Sequence, residues 1–288
     1  MEVKTEKFKD LARAELQNIY SRRFLKVGPP IMVAKRDLAM ATFPDIPAAR
    51  AYGAAIKAEA IARLPELLEE FEKKATANGA RVLWARDDQE ANQLILQLAQ
   101  ERGVPYVTKG KSMVTEETGL NEILSKNGVE PWETDLGEFI AQQLNRPPFH
   151  IVGPAINVPV EEVRDLFMAK ANMKEPTLDP VQLGYAARIF LRDKFHHVKF
   201  GITGVNMAVA ETGTIINVEN EGNIRFTKSC PRTQVSVMSL EKVVPTMKDA
   251  LHLLRLLCRS CTGQKLSAYV SMDSGPKKKD EIDGPEEL

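Results

Sequence analysis

The chain has 288 residues, of which 43% are hydrophobic and 27% are charged, a composition typical of globular proteins. Its 39 basic residues balance 39 acidic residues, so no net charge favours binding to nucleic acid or to an anionic membrane. The apolar runs fall far short of the roughly 20 residues of a membrane-spanning helix, and the charged N-terminal residues do not resemble a secretory signal, so we expect a cytoplasmic protein without a membrane span.

The first part of the chain predicts a helical arm followed by alternating strands and helices. Residues 1–47 form the predicted arm, which we expect to break at Gly28-Pro29-Pro30. A helix over 48–77 follows. Strands are then predicted at 81–85, 104–108, 129–133 and 150–153, and helices between and after them at 87–103, 112–127, 135–144, 160–170 and 179–195. Such alternation indicates a parallel sheet covered by helices, and therefore the α/β class.

The pattern changes after residue 198. Short strands with tight connections are predicted at 198–203, 207–210, 214–218 and 234–239, and a final helix at 246–261 ends before Gly263. Residues 271–288 are rich in Gly, Pro, Lys and Glu and predict a flexible tail with no partner in this chain. These boundaries divide the chain into an arm (1–47), one α/β domain (48–270) and a tail (271–288).

Gly110-Lys111-Ser112 follows a predicted strand and has the last three residues of a phosphate-binding P-loop. The P-loop also needs a glycine five residues earlier, where this chain has Pro105, so that interpretation fails. Lys109 and Lys111 can still receive a carboxylate or phosphate where the strand gives way to a helix. The alternative is a solvated basic turn.

Glu211 is the leading candidate for a catalytic residue. It lies between small apolar residues and Gly213 in the segment 203–214, surroundings expected to raise the pKa of a carboxyl or to require a charged partner. It can act as a base, a nucleophile or an acceptor that orients a ligand. The alternative is a structural carboxylate that accepts backbone N–H bonds at a turn.

A second polar cluster lies at residues 219–225, where carboxylates, carboxamides and a guanidinium follow a predicted strand. Such a segment can recognise a polar ligand, or it can be an ordinary exposed hairpin turn. Together these observations give the candidate binding residues, which are Lys109, Lys111, Ser112, Asn206, Thr212, Gly213, Glu219, Asn220, Glu221, Asn223 and Arg225.

The three cysteines predict no metal site. Cys258 and Cys261 have CxxC spacing, but they end a predicted helix, whereas redox pairs of this type begin one. With Cys230 they are one thiolate short of an ordinary iron–sulfur cluster. We therefore expect Cys258 and Cys261 to be buried structural thiols.

Several segments together resemble a known family. They are residues 111–117 (KSMVTEE), 133–138 (ETDLGE), 210–214 (AETGT), 218–223 (VENEGN), 241–245 (EKVVP) and 283–287 (DGPEE). In this order, over nearly the whole chain, they resemble the LUD domain of the bacterial lactate utilisation protein B family. The resemblance implies a three-layer α/β/α fold similar to the NagB, ribose-5-phosphate isomerase (RpiA) and CoA-transferase group.

The resemblance also implies a role in the oxidation of L-lactate to pyruvate, within an oxidoreductase complex. Two partner subunits are implied, one a cysteine-rich iron–sulfur protein and the other a smaller LUD protein. Family members continue beyond the Gly-Pro-Glu-Glu segment into a ferredoxin-like region that holds two [4Fe–4S] clusters. We therefore expect no cofactor in this chain, and either a shortened form of a longer iron–sulfur protein or a natural stand-alone domain, the former being favoured.

These considerations lead to a functional hypothesis. The carboxylate of lactate or pyruvate is expected to lie on Lys109, Lys111 or Arg225 while Glu211 orients or deprotonates the substrate. One alternative is an enzyme of the CoA-transferase or isomerase type that uses Glu211 as nucleophile or base. The other is a non-catalytic assembly domain.

Overall fold

The computed structural model describes residues 5–171 and 173–288 and places their strands in two four-stranded sheets. Sheet A has the order β2-β1-β3-β6 with every neighbouring pair parallel, and sheet B has the order β7-β4-β5-β8. In sheet B, β4 runs parallel to β7, whereas β5 is antiparallel to β4 and to β8. The strands are β1 Tyr106–Lys109, β2 Glu130–Glu133, β3 Phe200–Gly204, β4 Met207–Val209, β5 Thr214–Glu219, β6 Thr233–Val237, β7 Val243–Val244 and β8 Tyr269–Asp273.

Twelve α-helices accompany these strands in the described ranges. They are α1 Phe8–Leu16, α2 Ile19–Met40, α3 Ile46–Ala62, α4 Leu64–Ala77, α5 Asp88–Glu101, α6 Met113–Glu117, α7 Leu120–Lys126, α8 Leu136–Gln143, α9 Val160–Lys170, α10 Pro180–His197, α11 Asn223–Ser229 and α12 Met247–Thr262. Several begin where the sequence provides a cap. Asp87 accepts the backbone N–H of Glu90 before α5, and Thr246 accepts that of Asp249 before α12.

The parallel sheet is covered by helices, which confirms the predicted α/β class and agrees with a three-layer α/β/α arrangement. Phe200 and Ile202 of β3 are fully buried in one apolar cluster with Ile95 of α5 and Leu120 of α7. Trp132 of β2 lies in a second cluster, to which α8, α9 and α10 contribute. Burial of apolar side chains on the sheet by successive crossover helices stabilises this arrangement.

The predicted break at Pro29-Pro30 is wrong, because α2 continues through both prolines. A proline inside a helix removes one backbone hydrogen bond and bends the helix, but tertiary contacts can compensate for this loss. Helix α2 lies along α12, and Arg259 of α12 donates from Nε to Thr42 Oγ1 just beyond the end of α2. The sequence pattern alone does not show this partner.

Two predicted strands are also wrong. Residues 81–85 form no ladder with another strand in the described chain and so belong to neither sheet. Residues 150–153 fold into a turn, because His150 Nδ1 accepts the backbone N–H groups of Val152 and Gly153 at 3.1 and 3.3 Å. A strand requires a partner as well as β-prone residues.

The segments after residue 198 differ from the expected row of neighbouring strands. Strands β3 and β6 join sheet A, whereas β4 and β5 form an antiparallel pair in sheet B. Of the two alternatives for residues 219–225, the hairpin turn is wrong, because Glu219 ends β5 and α11 begins at Asn223, after Gly222 in the left-handed region at φ +79°.

The predicted tail without a partner is wrong as well. Strand β8 pairs with β5 through five residues, which covers the beginning of this segment. Near the other end, Glu287 forms a parallel β-bridge with Thr233. Arg232 Nε donates a hydrogen bond to Glu286 Oε2 at 2.8 Å. The segment is therefore attached to both sheets.

No helix in the described ranges is both long and apolar enough to span a lipid bilayer.

Candidate functional site

A polar cleft of about 420 Å³ lies where the carboxyl ends of β1, β2 and β3 approach the end of β5. Residues that follow β1 and β2, among them Lys111, Ser112 and Asp135, line one part of it. Gly204, which ends β3, and Asn206, just beyond it, continue this wall. Ligands of open α/β sheets bind outside the carboxyl ends of the parallel strands, so this cleft is the candidate functional site.

The structure brings seven of the twelve sequence-predicted site residues together in this cleft. They are Lys111, Ser112, Asn206, Glu219, Asn220, Glu221 and Asn223. The other five do not line it, and they are Lys109, Glu211, Thr212, Gly213 and Arg225.

Lys111 and Asp135 form the main ion pair of the cleft, with 2.9 Å between Nζ and Oδ2. The other oxygen of Asp135 caps α8, because Oδ1 accepts the N–H groups of Gly137 and Glu138. A lysine ammonium has three donors. Lys111 therefore keeps donors for an anionic ligand while Asp135 holds it in place.

Glu221 is the carboxyl group of the cleft best suited to accept a proton. Its Oε2 accepts the backbone N–H of Leu136 at 3.2 Å, which places it beside Asp135. Desolvation in the cleft, with a further contribution from the charge of Asp135, raises the pKa of Glu221 above its ordinary value. A raised pKa brings a carboxylate closer to the strength of a useful base near neutral pH.

Two carboxamides present hydrogen-bonding groups to the cleft. Asn206 uses its Oδ1 to accept the N–H of Val218 at 2.9 Å, and Asn223 uses its Nδ2 to donate to Thr134 Oγ1 at 3.2 Å. Within residues 5–171 and 173–288, the amide hydrogens of Asn206 and the carbonyl oxygen of Asn223 have no hydrogen-bond partner. Asn206 thus offers a free donor group and Asn223 a free acceptor to the cleft, besides the charges.

Glu219 has a structural role in the cleft wall. Both of its carboxylate oxygens cap α11, at 2.7 Å from Ile224 N and 2.9 Å from Arg225 N. Burial raises the pKa of Glu219, while these two backbone donors oppose the shift. Arg225 turns away from the cleft, and its guanidinium lies over the ring of Tyr269 at 5.3 Å.

Lys109 is not accessible to a ligand, although the sequence predicts it as an anion-binding group. Its side chain is fully buried and pairs with Glu133 at 2.8 Å and with Glu116 at 3.1 Å. Lys109 ends β1, whereas Lys111 lies beyond Gly110, where the chain has left the strand. Of the two lysines that flank this glycine, Lys109 is therefore buried inside the fold and Lys111 lines the cleft.

The prediction that Glu211 is enclosed by apolar residues is wrong. The strand before it is buried, but Glu211 itself is exposed, and its Oε2 accepts the N–H of Met247 at 3.0 Å at the start of α12. Thr212 and Gly213 complete the turn between β4 and β5 and lie against α4, with Asn78 Nδ2 donating to Thr212 O. The arrangement matches the alternative of a structural carboxylate at a turn.

Sequence reasoning missed five polar residues that line the cleft, which are Asp135, Asn217, Lys242, Thr262 and Ser267. Asp135 carries a usable signal, because it lies two residues after the end of a predicted strand and can cap the next helix, a position at the carboxyl edge of a parallel sheet. Asn217 lies inside β5, where its Nδ2 donates to Gly204 O at 2.7 Å. Lys242 reaches the cleft only through the tertiary fold.

The three cysteines of this chain do not match the four-thiolate ligand set of an ordinary iron–sulfur cluster. Cys258 is buried, with its Sγ 3.2 Å from Ser267 Oγ, but Cys261 is exposed, so the prediction of two buried thiols is wrong for Cys261. Three cysteines cannot supply four thiolates. The described residues also contain no group of three or more His, Cys, Asp or Glu side chains arranged to hold a metal ion.

Comparison with known proteins agrees with the resemblance noted in the sequence. The LUD domain model matches residues 68–288. "Lactate utilization protein B" of Bacillus cytotoxicus is 37% identical over 288 residues, and the proteins of the same name from Bacillus thuringiensis and Bacillus cereus are 36% identical. All of this chain is covered, but it spans only 60% of the length of each of these relatives. No solved structure matches the chain. The chain belongs to the LUD domain family.

Proposed function

We propose that the cleft binds a small 2-hydroxy or 2-oxo carboxylate, of which lactate and pyruvate are the simplest, and that the chain acts in lactate utilisation. The observation that carries this proposal is the placement of Lys111, held by Asp135, beside Glu221 in one cleft. A fixed cation and a proton acceptor with a raised pKa are the two groups that recognition and deprotonation of a hydroxy acid require.

Each side chain has a defined task in this proposal. The ammonium of Lys111 and the free amide hydrogens of Asn206 donate to the substrate carboxylate, and Glu221 accepts the hydroxyl proton. Oxidation of lactate to pyruvate removes two electrons and two protons in total. Glu221 takes one of these protons, and we propose that the hydrogen on the substrate Cα leaves with both bonding electrons as a hydride to a hydride acceptor outside this chain. An iron–sulfur protein is the class we propose for receiving the electrons from that acceptor, because the three cysteines of this chain do not fit a cluster here.

The names of the relatives favour a role in lactate utilisation. From the family resemblance we further propose a cytoplasmic complex that oxidises L-lactate, with two other lactate utilisation subunits as partners. We do not include Glu211 in the substrate site, because it does not line the cleft and instead accepts the N–H of Met247 at the start of α12. No specific contact favours its use as a nucleophile towards acyl-CoA.

Isothermal titration calorimetry with lactate and with pyruvate tests this proposal on the full chain. We expect binding by the parent protein and its loss, by tenfold or more in Kd, in Lys111→Gln. Lys126→Gln is the matched control, since Lys126 forms an exposed pair with Glu122 and does not line the cleft. Equal affinities of the parent and Lys111→Gln would show that the cleft is not the substrate-binding site.

A second measurement separates recognition from proton transfer. Glu221→Gln keeps the size and polarity of the side chain but cannot accept a proton. We expect it to bind pyruvate, which has no hydroxyl proton, with an affinity within a few-fold of the parent, and to lose the pH dependence that the raised pKa of Glu221 gives to lactate binding. An unchanged pH dependence would exclude Glu221 as the acceptor.

A further inference from the structure

The polar cleft has more room than a three-carbon acid fills. Its volume of about 420 Å³ lies in the range of pockets that bury drug-sized ligands, about 300–1,000 Å³. Lys111, Asn206 and Glu221 account for the carboxylate and the hydroxyl of the substrate in the proposed function. The residues that line the rest of the cleft therefore decide what carbon chain the substrate carries.

Apolar side chains that remain exposed line part of the cleft. Ile151 and Val152 are 62% and 43% exposed, and Met113, which follows Ser112 at the start of α6, is 36% exposed. Water in contact with such surface is released when an apolar group covers it, and this release favours binding. These side chains therefore favour a ligand with an apolar part.

The turn 150–153, which carries two of these side chains, rests against the start of α8. A Cβ on Gly137 would lie 2.8 Å from Pro154 Cδ, so the chain just after the turn approaches α8 closely. Two backbone N–H groups of the turn donate to His150 Nδ1 and hold it from within. The position of the turn is therefore set by contacts that the two apolar side chains do not make.

The same start of α8 also holds the polar groups of the cleft. Leu136 N donates to Glu221 Oε2 at 3.2 Å, and Gly137 N donates to Asp135 Oδ1 at 3.0 Å. The other oxygen of Asp135 holds Lys111 at 2.9 Å. The polar groups and the apolar turn are thus supported by three consecutive residues, and a ligand held by the polar groups has the apolar turn beside it.

Lys242 offers an alternative, because it also lines the cleft and would suit a carbon chain that ends in a second carboxylate. Its Nζ already lies 3.2 Å from Glu241 Oε1, so part of its charge is balanced within the chain. The apolar turn, in contrast, lies beside the groups that hold the carboxylate and the hydroxyl. We therefore favour the apolar chain and include the charged one in the test.

We infer that the cleft prefers 2-hydroxy and 2-oxo acids with an apolar carbon chain longer than that of lactate, and that Ile151 and Val152 are the specificity-determining residues that this chain covers. The inference rests on the proposed function, since it takes the carboxylate to lie on Lys111 and the hydroxyl on Glu221. Full burial of a methylene strengthens binding about fourfold, and about threefold is expected in a cleft that stays partly open.

A series of acids tests this inference by isothermal titration calorimetry on the full chain. The series is lactate, 2-hydroxybutanoate, 2-hydroxypentanoate and 2-hydroxyhexanoate, together with 2-hydroxyglutarate, which has the carbon number of 2-hydroxypentanoate but ends in a second carboxylate. We expect Kd to fall about threefold with each added methylene, so that 2-hydroxyhexanoate binds at least about tenfold more tightly than lactate. 2-Hydroxypentanoate should bind more tightly than 2-hydroxyglutarate.

A double variant, Ile151→Ser with Val152→Ser, removes the apolar surface of the turn. We expect it to bind lactate within about twofold of the parent, while the advantage of 2-hydroxyhexanoate over lactate falls to about threefold or less. Ile61→Ser is the matched control, because Ile61 of α3 is 61% exposed, close to the value for Ile151, and does not line the cleft. The control should keep the full dependence on chain length.

The outcomes separate this inference from the proposed function. Binding of lactate with the same Kd as the longer acids would overturn the inference and leave the proposed function standing, whereas a failure of every acid to bind would overturn both. Tighter binding of 2-hydroxyglutarate than of 2-hydroxypentanoate would also overturn the inference, in favour of a charged chain on Lys242. A chain-length preference that survives in the double variant would show that Ile151 and Val152 do not determine it.

Discussion

Lys109 and Glu133 are paired twice, once as neighbours across two strands and once as ions. Their Cα atoms are partners in the parallel ladder of β1 and β2, and Lys109 Nζ lies 2.8 Å from Glu133 Oε1. Glu116 is a second partner of the same ammonium at 3.1 Å. Burial alone would lower the pKa of Lys109, but the charges of Glu133 and Glu116 outweigh it and raise the pKa. The lysine is therefore a fixed internal charge directly beneath the loop that carries Lys111.

Replacing this charge should destabilise the protein strongly. We expect Lys109→Met to lower the free energy of unfolding by about 3–5 kcal/mol, because it leaves Glu133 buried without its counter-ion. Lys126→Met removes an exposed ion pair with Glu122 and should change the free energy of unfolding by no more than about 1 kcal/mol. Urea denaturation of both variants measures the difference, and similar losses in the two would contradict the assignment of Lys109 to a buried network.

The same network predicts a dependence of stability on pH. Burial, followed by the charge of Glu133, raises the pKa of Glu138 to about 10. Both side chains have a buried oxygen without a partner, and a proton on Glu138 lets it donate to Glu133. Between the ordinary value of 4.5 and about 10 the folded state binds this proton and the unfolded state releases it, so the free energy of unfolding falls as the pH rises.

Glu138→Gln should remove this dependence, because an amide does not titrate. We expect the variant to gain stability relative to the parent as the pH increases from about 5 to about 9, by at most about 1.4 kcal/mol per pH unit. Urea unfolding at several pH values measures the difference, in which other titrating groups cancel. Parallel stability profiles of the parent and the variant would show that Glu138 is not held protonated.

The alternation of strands and helices was readable from the sequence because its signals are local. Caps such as Asp87 and Thr246 mark the helices. Residues 81–85 show where local signals fail, since they have β-prone residues but no partner strand in the described chain. Pro29 and Pro30 show the opposite failure, since the local signal predicts a break where the helix continues. Contact between α2 and α12 outweighs the local cost of both prolines.

The site was predictable to the extent that it follows strand ends. Lys111 and Asn206 follow β1 and β3, so their meeting at one edge of sheet A is a consequence of parallel topology. The prediction of an enclosed Glu211 is wrong because its apolar neighbours in the sequence are buried residues of β4, whereas the turn directs the side chain of Glu211 to solvent. Which way a side chain leaves a turn depends on the packing of that turn, here against α4.

The capping contacts of Glu219 predict a graded loss of stability. We expect Glu219→Ala to lower the free energy of unfolding by about 1–2 kcal/mol, because two N–H groups at the start of α11 lose their acceptor. Glu219→Gln keeps one acceptor oxygen and should lose less. Chemical denaturation ranks the three proteins, and an alanine variant as stable as the parent would show that the cap contributes nothing.

Gly213 tests how closely the turn after β4 packs against α4, and Gly184, a glycine with open surroundings, is the comparison. Gly213 has φ +68°, and a Cβ there would lie 2.4 Å from the backbone nitrogen of Ala75, so Gly213→Ala combines an unfavourable backbone conformation with a clash. We expect it to lower the free energy of unfolding by more than about 2 kcal/mol. Gly184 lies inside α10 with no heavy atom within 4 Å of its Cβ position, and Gly184→Ala should raise stability by about 0.5–1 kcal/mol. In thermal unfolding, the Tm of Gly213→Ala should therefore lie below that of the parent and the Tm of Gly184→Ala above it. A Gly213→Ala protein with the same Tm as the parent would contradict the close approach of this turn to α4.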